Sequence, residues 1–267
     1  MDKLLCKISL LMISTLPASG SAQQATDEEI AKQLANPIAN LVSVPFQLNY
    51  DSGFGPADGH RTTLNIQPVI PIPLNGNWNL ISRTILPVID QTDIAGNSGS
   101  QFGLGDTLQS FFVAPNRNPS DGWVIGLGGA FLLPTATDDL LGADKWGAGP
   151  SAIAIRQFGP WTVGGLANHV WSFAGDDDRP DVNQSFVQPF VSYTTPQAWQ
   201  FSFTSESTYN WEAEQWSVPL NFVAGKTLQI SGQTVSISGG IRYWAETPSS
   251  GPDGLGFRLV TTLVFPK

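Results

Sequence analysis

Large apolar residues recur at every second position through much of this chain. Residues 199–211 show the pattern clearly. Trp199, Phe201 and Phe203 alternate with Gln200, Ser202 and Thr204, and Tyr209 and Trp211 alternate with Thr208 and Asn210. Period-two alternation predicts a strand with one apolar and one polar face. Twelve such strands are expected, near 41–50, 61–74, 78–89, 103–114, 123–133, 147–157, 161–172, 185–194, 199–211, 216–224, 234–246 and 254–265. In the first, Phe46, Leu48 and Tyr50 oppose Gln47 and Asn49; in the last, Phe257, Leu259 and Leu263 oppose Arg258 and Thr262. The sixth sets Ile153 and Ile155 against Ala152, Ala154 and Arg156, while the third and seventh have no clear phase. Pro45, Pro68, Pro71, Pro189 and Pro219 fall inside strands, where a missing N–H implies bulges or irregular pairing.

The connections alternate as well. Counted from the first hairpin, the odd ones are mostly long (51–60, 90–101, 134–146, 173–184, 210–215, 247–253) and the even ones tend to be shorter. The odd connections hold Asp51, Asp58, Asp90, Asp93, Asp138, Asp139, Asp144, Asp176, Asp177, Asp178, Asp181, Glu212, Glu214 and Asp253, whereas the even ones hold only Asp121. In a meander, the odd connections share one end. One end is therefore long-looped and acidic and the other tight.

Alternation alone does not say whether the apolar faces point into a core or out into lipid. Four features favour lipid. The strand count is large and even, and twelve strands tilted about 40° enclose a backbone radius of roughly 12 Å, wide for side chains to fill. Loop length alternates between ends, as in outer-membrane barrels. Aromatic residues cluster near strand ends, among them Trp78, Trp123, Trp161, Trp199, Trp211 and Trp216, where half-polar rings suit the headgroup level. The stretch 199–211 rises about 40 Å along the strand, or roughly 30 Å along a normal tilted by 40°, which matches a bilayer. The expected fold is all-β: a twelve-stranded antiparallel transmembrane barrel with a hydrated bore.

Composition refines this picture. Residues 1–22 pair Lys3 and Lys7 with an apolar run and end Gly20-Ser21-Ala22, the pattern of a cleaved export signal. The only cysteine, Cys6, falls inside it, so no disulfide is expected after cleavage. Residues 23–38 form a separate N-terminal segment, and 39–267 the barrel. Thr26-Asp27-Glu28-Glu29 reads as a capping box before Ile30, Ala31 and Leu34, and Asn36-Pro37 stops the helix. This short helix is expected to act as a tether or partial plug. The formal charge of -9 disfavours a nucleic-acid partner.

Four stretches, LANPIANLVSVPFQLNYD (34–51), NWNLISRTILPVI (77–89), GLGDTLQSFFVAP (103–115) and GAFLLPTAT (129–137), together with the final strands, resemble a family of bacterial outer-membrane transporters. That family is linked by label to the meta-pathway of phenol degradation ("MetA" type) and is sometimes misnamed neuromedin U. The resemblance implies an outer-membrane barrel and, loosely, transport. The last strand also resembles an outer-membrane assembly signal ending on Phe265, although Pro266 and Lys267 follow it. The expected partners are outer-membrane lipid and lipopolysaccharide, the barrel-assembly machinery and a small-molecule solute.

Charges on the wet face are the candidate pore-lining groups. Alternation places Arg156, Glu206, Arg242 and Arg258 there, Arg83 and Asp106 are expected to join them, and Trp244 is a candidate constriction. Opposed arginine and carboxylate rows would filter solutes by charge or, equally, brace the lumen. No metal site or cofactor is implied. GDDDRPD (175–181) lacks EF-hand spacing and reads as a collective site for divalent ions against lipopolysaccharide, and GLGDT (103–107) lacks the GK[ST] of a phosphate loop. A lipid-face Ser–His pair would signal a phospholipase, but the residue two on from His169 is Trp171 and not serine, so no enzyme is expected. The reading is a passive channel for small, apolar or aromatic solutes. The alternatives are an outer-membrane barrel with a blocked lumen and a structural or surface-interaction role, or a soluble periplasmic lipid-binding barrel.

Overall fold

The computed structural model describes residues 26–116 and 122–265, so the expected export signal, Asp121, Pro266 and Lys267 lie outside the described residues. Along the chain come α1 (Asp27–Leu34), β1 (Val42–Phe54), a 3-10 turn, β2 (Gly59–Ile66), β3 (Val69–Pro73), β4 (Trp78–Thr92), β5 (Ser100–Leu104), β6 (Thr107–Pro115) and β7 (Trp123–Leu133). Then follow β8 (Lys145–Phe158), β9 (Trp161–Gly175), β10 (Asn183–Thr194), β11 (Trp199–Ser205), β12 (Ser207–Asn210), β13 (Gln215–Ile230), β14 (Gln233–Glu246) and β15 (Leu255–Phe265). All strands join one antiparallel sheet, and β1 pairs with β15 from Val42↔Phe265 to Tyr50↔Phe257, which closes it into a barrel.

The fifteen segments make twelve barrel strands, as expected, because β2/β3, β5/β6 and β11/β12 are each one strand with an interrupted ladder. Each interruption lies opposite a proline, which has no N–H to donate. The proline carbonyl still accepts: Gln67 N donates to Pro45 O at 2.9 Å, Gly105 N to Pro87 O at 2.9 Å and Glu206 N to Pro219 O at 3.3 Å. The irregularities expected from Pro45 and Pro219 are therefore local, and the alternation of faces runs through them.

The outer surface is apolar at mid-height, with Leu127, Phe257 and Leu259 each about 60% exposed (62%, 60% and 58%). Two belts of exposed aromatic residues flank it. Trp78, Trp123, Trp161 and Trp199 sit at strand starts beside the short turns, and Trp146, Trp171, Trp211 and Trp216 beside the long loops. This is the surface of a barrel in lipid. Ser205 and Ser207 share this face, and their hydroxyls pair at 2.7 Å, so neither is left unbonded toward the acyl chains.

The interior departs from expectation in one respect. A bore hydrated all round was anticipated, but one wall is apolar. Ile81, Phe112, Val124, Ile153, Ile155 and Leu166 form a buried cluster with Phe186 and Phe190 packed against it. The sixth barrel strand is consequently reversed: Ile153 and Ile155 point inward, and Ala152, Ala154 and Arg156 outward. Register decides this. Ile155 pairs with Val124, and Arg156 with Trp123 on the outer face. The two phases unread in sequence are also settled. Ile81, Arg83 and Ile89 face inward from β4; Leu166, Asn168 and Val170 face inward from β9, with His169 and Trp171 outward.

Helix α1 has the anticipated capping box: Glu29 N donates to Thr26 Oγ1 at 3.2 Å, and Thr26 N to Glu29 Oε2 at 2.8 Å. It lies inside the barrel at the short-turn end. Ile30 packs with Ala39, Leu41 and Val264. The helix carbonyls of Lys32 and Ala31 accept from Gln157 at 2.7 Å and Gln200 at 3.2 Å, on two separated strands.

Replacing Leu259 with arginine should cost about 2–4 kcal/mol if it lies near mid-bilayer. Leu259→Phe should be nearly neutral. Urea unfolding in lipid vesicles measures both, and equal stability of the two variants would contradict the lipid-facing assignment.

Candidate functional site: the lumen

The polar wall is organised around Glu206. The interrupted ladder between β11 and β12 leaves this carboxylate pointing across the bore. Arg258 on β15 grips it with two bonds, Nη1 to Oε1 and Nη2 to Oε2, both 2.7 Å. Arg242 on β14 adds Nη1 to Oε2 at 3.3 Å and pairs through Nε with Asp51 at 3.0 Å. Neutral groups complete the set: Arg258 Nε donates to Asn49 Oδ1 at 2.7 Å and Arg242 Nη1 to Asn221 Oδ1 at 3.2 Å. Trp244 donates its indole N–H to Asp51 at 2.7 Å, and the Arg242 guanidinium stands 4.5 Å over its ring. A planar guanidinium suits such two-pronged contacts, and satisfied donors make a desolvated charge tolerable.

The candidate residues named from sequence thus separate. Glu206, Arg242, Arg258 and Trp244 come together. Arg83 stands apart, donating to Gln67 Oε1 at 3.2 Å. Asp106 sits in the β5/β6 interruption and accepts from the backbone of Ala136 at 3.2 Å and Ala143 at 2.6 Å, which holds loop 134–144 against the barrel. Gly142 permits that approach, since a Cβ there would lie 2.3 Å from Ala136 and 2.6 Å from the Asp106 carboxylate. Arg156 is on the outer face, beside the Phe158 ring at 5.6 Å.

Sequence reasoning missed Asp51 and Arg61 as lumen groups. Asp51 was assigned to a loop, although it continues the phase of Gln47 and Asn49; Arg61 pairs with it in register and donates to Gln91 at 2.8 Å. Around the mid-lumen, four guanidiniums (Arg61, Arg83, Arg242, Arg258) face two carboxylates (Asp51, Glu206). The bore is therefore locally positive within an acidic chain.

Open space follows this division. A cavity of about 330 Å³ adjoins Asp51, Glu206, Arg242 and Trp244. A second, about 220 Å³, lies between Ile85, Leu108, Leu132, Val170 and Phe186, with Arg83 at one end. Arg83 also lines a third, about 240 Å³, under the helix beside Gln33 and Ala39. Those two residues border a fourth, about 290 Å³, near Asn79 and Asn116 at the short-turn rim.

On the outer face the structure corrects the argument from His169. A same-face serine is present, supplied by the next strand: Ser185 Oγ is 2.7 Å from His169 Nδ1 and accepts from Trp211 Nε1 at 2.9 Å. At the long-loop end, Ser172 of β9 and Lys145 of β8 both contact the loop residue Asp181, at 3.0 and 3.2 Å, and hold its carboxyl below the usual range.

Comparison with known proteins comes next. A family profile described as "Putative MetA-pathway of phenol degradation" matches residues 60–247. No curated protein matches by sequence. Among solved structures, the COG4313 outer membrane channel from Pseudomonas putida F1 superposes with a TM-score of 0.66 at 14% identity, covering 85% of this chain and 96% of that one. The NanC porin gives 0.51 at 10% identity, covering 85% and 100%. The Salmonella typhi outer membrane phospholipase with bound calcium gives 0.50 at 11% identity, covering 91% and 99%. At these identities the likeness is one of fold, the outer-membrane β-barrel.

Glu206→Gln should destabilise the barrel by about 3–5 kcal/mol, because two guanidiniums then lack their shared counter-ion. Adding Arg258→Met to Glu206→Gln should recover part of the loss in urea unfolding. Strict additivity of the two would show that the pair is not coupled.

Proposed function

We propose that this chain, which belongs to the family described as "Putative MetA-pathway of phenol degradation" through its match over residues 60–247, is a passive outer-membrane channel for small apolar or aromatic solutes. In this reading residues 1–22 direct export and the barrel-assembly machinery inserts the chain. The observation that carries the reading is the run of cavities through the bore. The apolar one shares Arg83 with the one beneath the helix, and that one shares Gln33 and Ala39 with the one at the rim. A bore built only as a brace would gain nothing from this row of adjacent cavities, since unfilled volume forfeits packing. One apolar wall and one charged wall suit solutes that are neither sugars nor small inorganic ions, and two of the barrels that share this fold are a channel and a porin.

Helix α1 is the restriction in this path. Its seat, apolar on one side and held by two glutamine side chains on the other, can be vacated without breaking the barrel ladder. Removing residues 26–40 should raise single-channel conductance in planar bilayers several-fold and speed proteoliposome swelling in benzyl alcohol. A chain silent with and without its helix would overturn the channel.

The Ser185–His169 pair is read as a tie between β9 and β10 at the aromatic belt. Among the described residues His169 Nε2 bonds to no acceptor, so no third group orients the imidazole, and the Trp211 N–H already occupies the serine oxygen. Purified protein should hydrolyse phospholipid micelles no faster than its Ser185→Ala variant. A Ser185-dependent rate would make it an enzyme.

A further inference from the structure

Arg83 differs from the two lumen arginines that carboxylates hold directly. Arg242 and Arg258 are held by carboxylates, and Arg61 lies beside Asp51 in register while donating to Gln91. Arg83 has one side-chain bond, to Gln67, and among the described residues it makes no ion pair. The nearest lumen carboxylate, Glu206, is already shared by two guanidiniums. A guanidinium carries five N–H donors. The side chain of Arg83 is only half-buried because it stands at the boundary of two cavities and lines both. With apolar side chains on one side and neutral polar ones such as Ser43, Gln47 and Gln67 on the other, this cation meets no counter-charge, and a ligand that supplies charge and acceptors would be favoured there.

The larger part of the cavity beside it is apolar: Ile85, Leu108, Leu132, Val170 and Phe186. Apolar cavities of about 150 Å³ admit benzene. At about 220 Å³ this one has room for a single ring and a small substituent. The substituent at the Arg83 end would meet free N–H donors in fork geometry, which matches a carboxylate.

We propose that this cavity is a binding site for small aromatic carboxylates, with the ring between Leu108, Val170 and Phe186 and the carboxylate on Arg83. The inference rests on the channel reading of the lumen and names the solute class that the same bore selects. Arg83 supplies the missing charge recognition, and the apolar wall excludes hydrated inorganic anions, which have no ring to bury.

The test is equilibrium dialysis of benzoate against the full chain in detergent, with benzyl alcohol as the neutral probe. Arg83→Met should weaken benzoate binding at least about tenfold and leave benzyl alcohol within about twofold. Ser110→Asp is a second variant that keeps Arg83. Ser110 is its registered neighbour on β6, and a carboxylate there becomes an internal counter-ion. It should abolish benzoate binding in the same way. Heat-modifiable migration on gels checks that each variant is folded. Benzoate binding that is absent in the native chain, or unchanged in either folded variant, overturns the inference. Vesicle flux is read separately. Arg83-dependent binding with no flux of any solute leaves the site standing and removes the channel. Flux of benzyl alcohol with benzoate binding indifferent to Arg83 does the reverse.

Discussion

In a bilayer every backbone N–H and C=O must be bonded within the protein, because the hydrocarbon offers no partner. The ladder from Val42↔Phe265 to Tyr50↔Phe257 meets that demand by pairing the first strand with the last, and the rest of the structure depends on this seam. An open edge would expose a row of unpaired groups to lipid. Prolines inside the wall threaten the same requirement. The three interruptions resolve it alike: a proline carbonyl keeps its bond across the gap while the strand on the other side gives up part of its ladder.

One interruption also serves the interior. At Glu206 the wall loosens just where a carboxylate is turned inward, and that carboxylate gathers guanidiniums from β14 and β15. The network ties the closing strands to the β11/β12 strand, three places round the same wall. Its cost, removing ions from water, is offset by hydrogen bonds to Asn49, Asn221 and Glu206 and by the ion pair of Arg242 with Asp51. The opposite wall needs no such arrangement, since Ile81, Phe112, Ile153 and Leu166 fill it by packing. Arg83 lies between the two regimes and is fully satisfied by neither.

Both ends of the bore are narrowed by segments held through side chains more than through the barrel ladder. At the short-turn end, α1 rests on Val264 and on the side chains of Gln157 and Gln200. At the long-loop end, Asp106 and Arg179 hold loop 134–144, the arginine by donating to the carbonyls of Asp139 and Gly142. Segments held by a few hydrogen bonds open at lower cost than the sheet that surrounds them. A path through the barrel can therefore be closed at rest without weakening the wall.

Period-two alternation was enough to locate twelve strands and to set Trp199, Phe201 and Phe203 on the face opposite Glu206; strand number, strand length, loop lengths and aromatic placement then put the first set toward lipid and Glu206, Arg242 and Arg258 in the bore. Those features rest on local sequence, because lipid rewards a continuous apolar face on each strand taken alone. The inward turn of Ile153 and Ile155 was not legible, since isoleucine alternating with alanine suits either face, and only pairing with Val124 and Trp123 selects one. The partner of His169 was equally hidden: Ser185 lies sixteen positions away and reaches it by register between strands. Which groups face lipid is largely a property of each strand; which groups face each other across the bore is decided by closure, and closure exists only in the folded barrel.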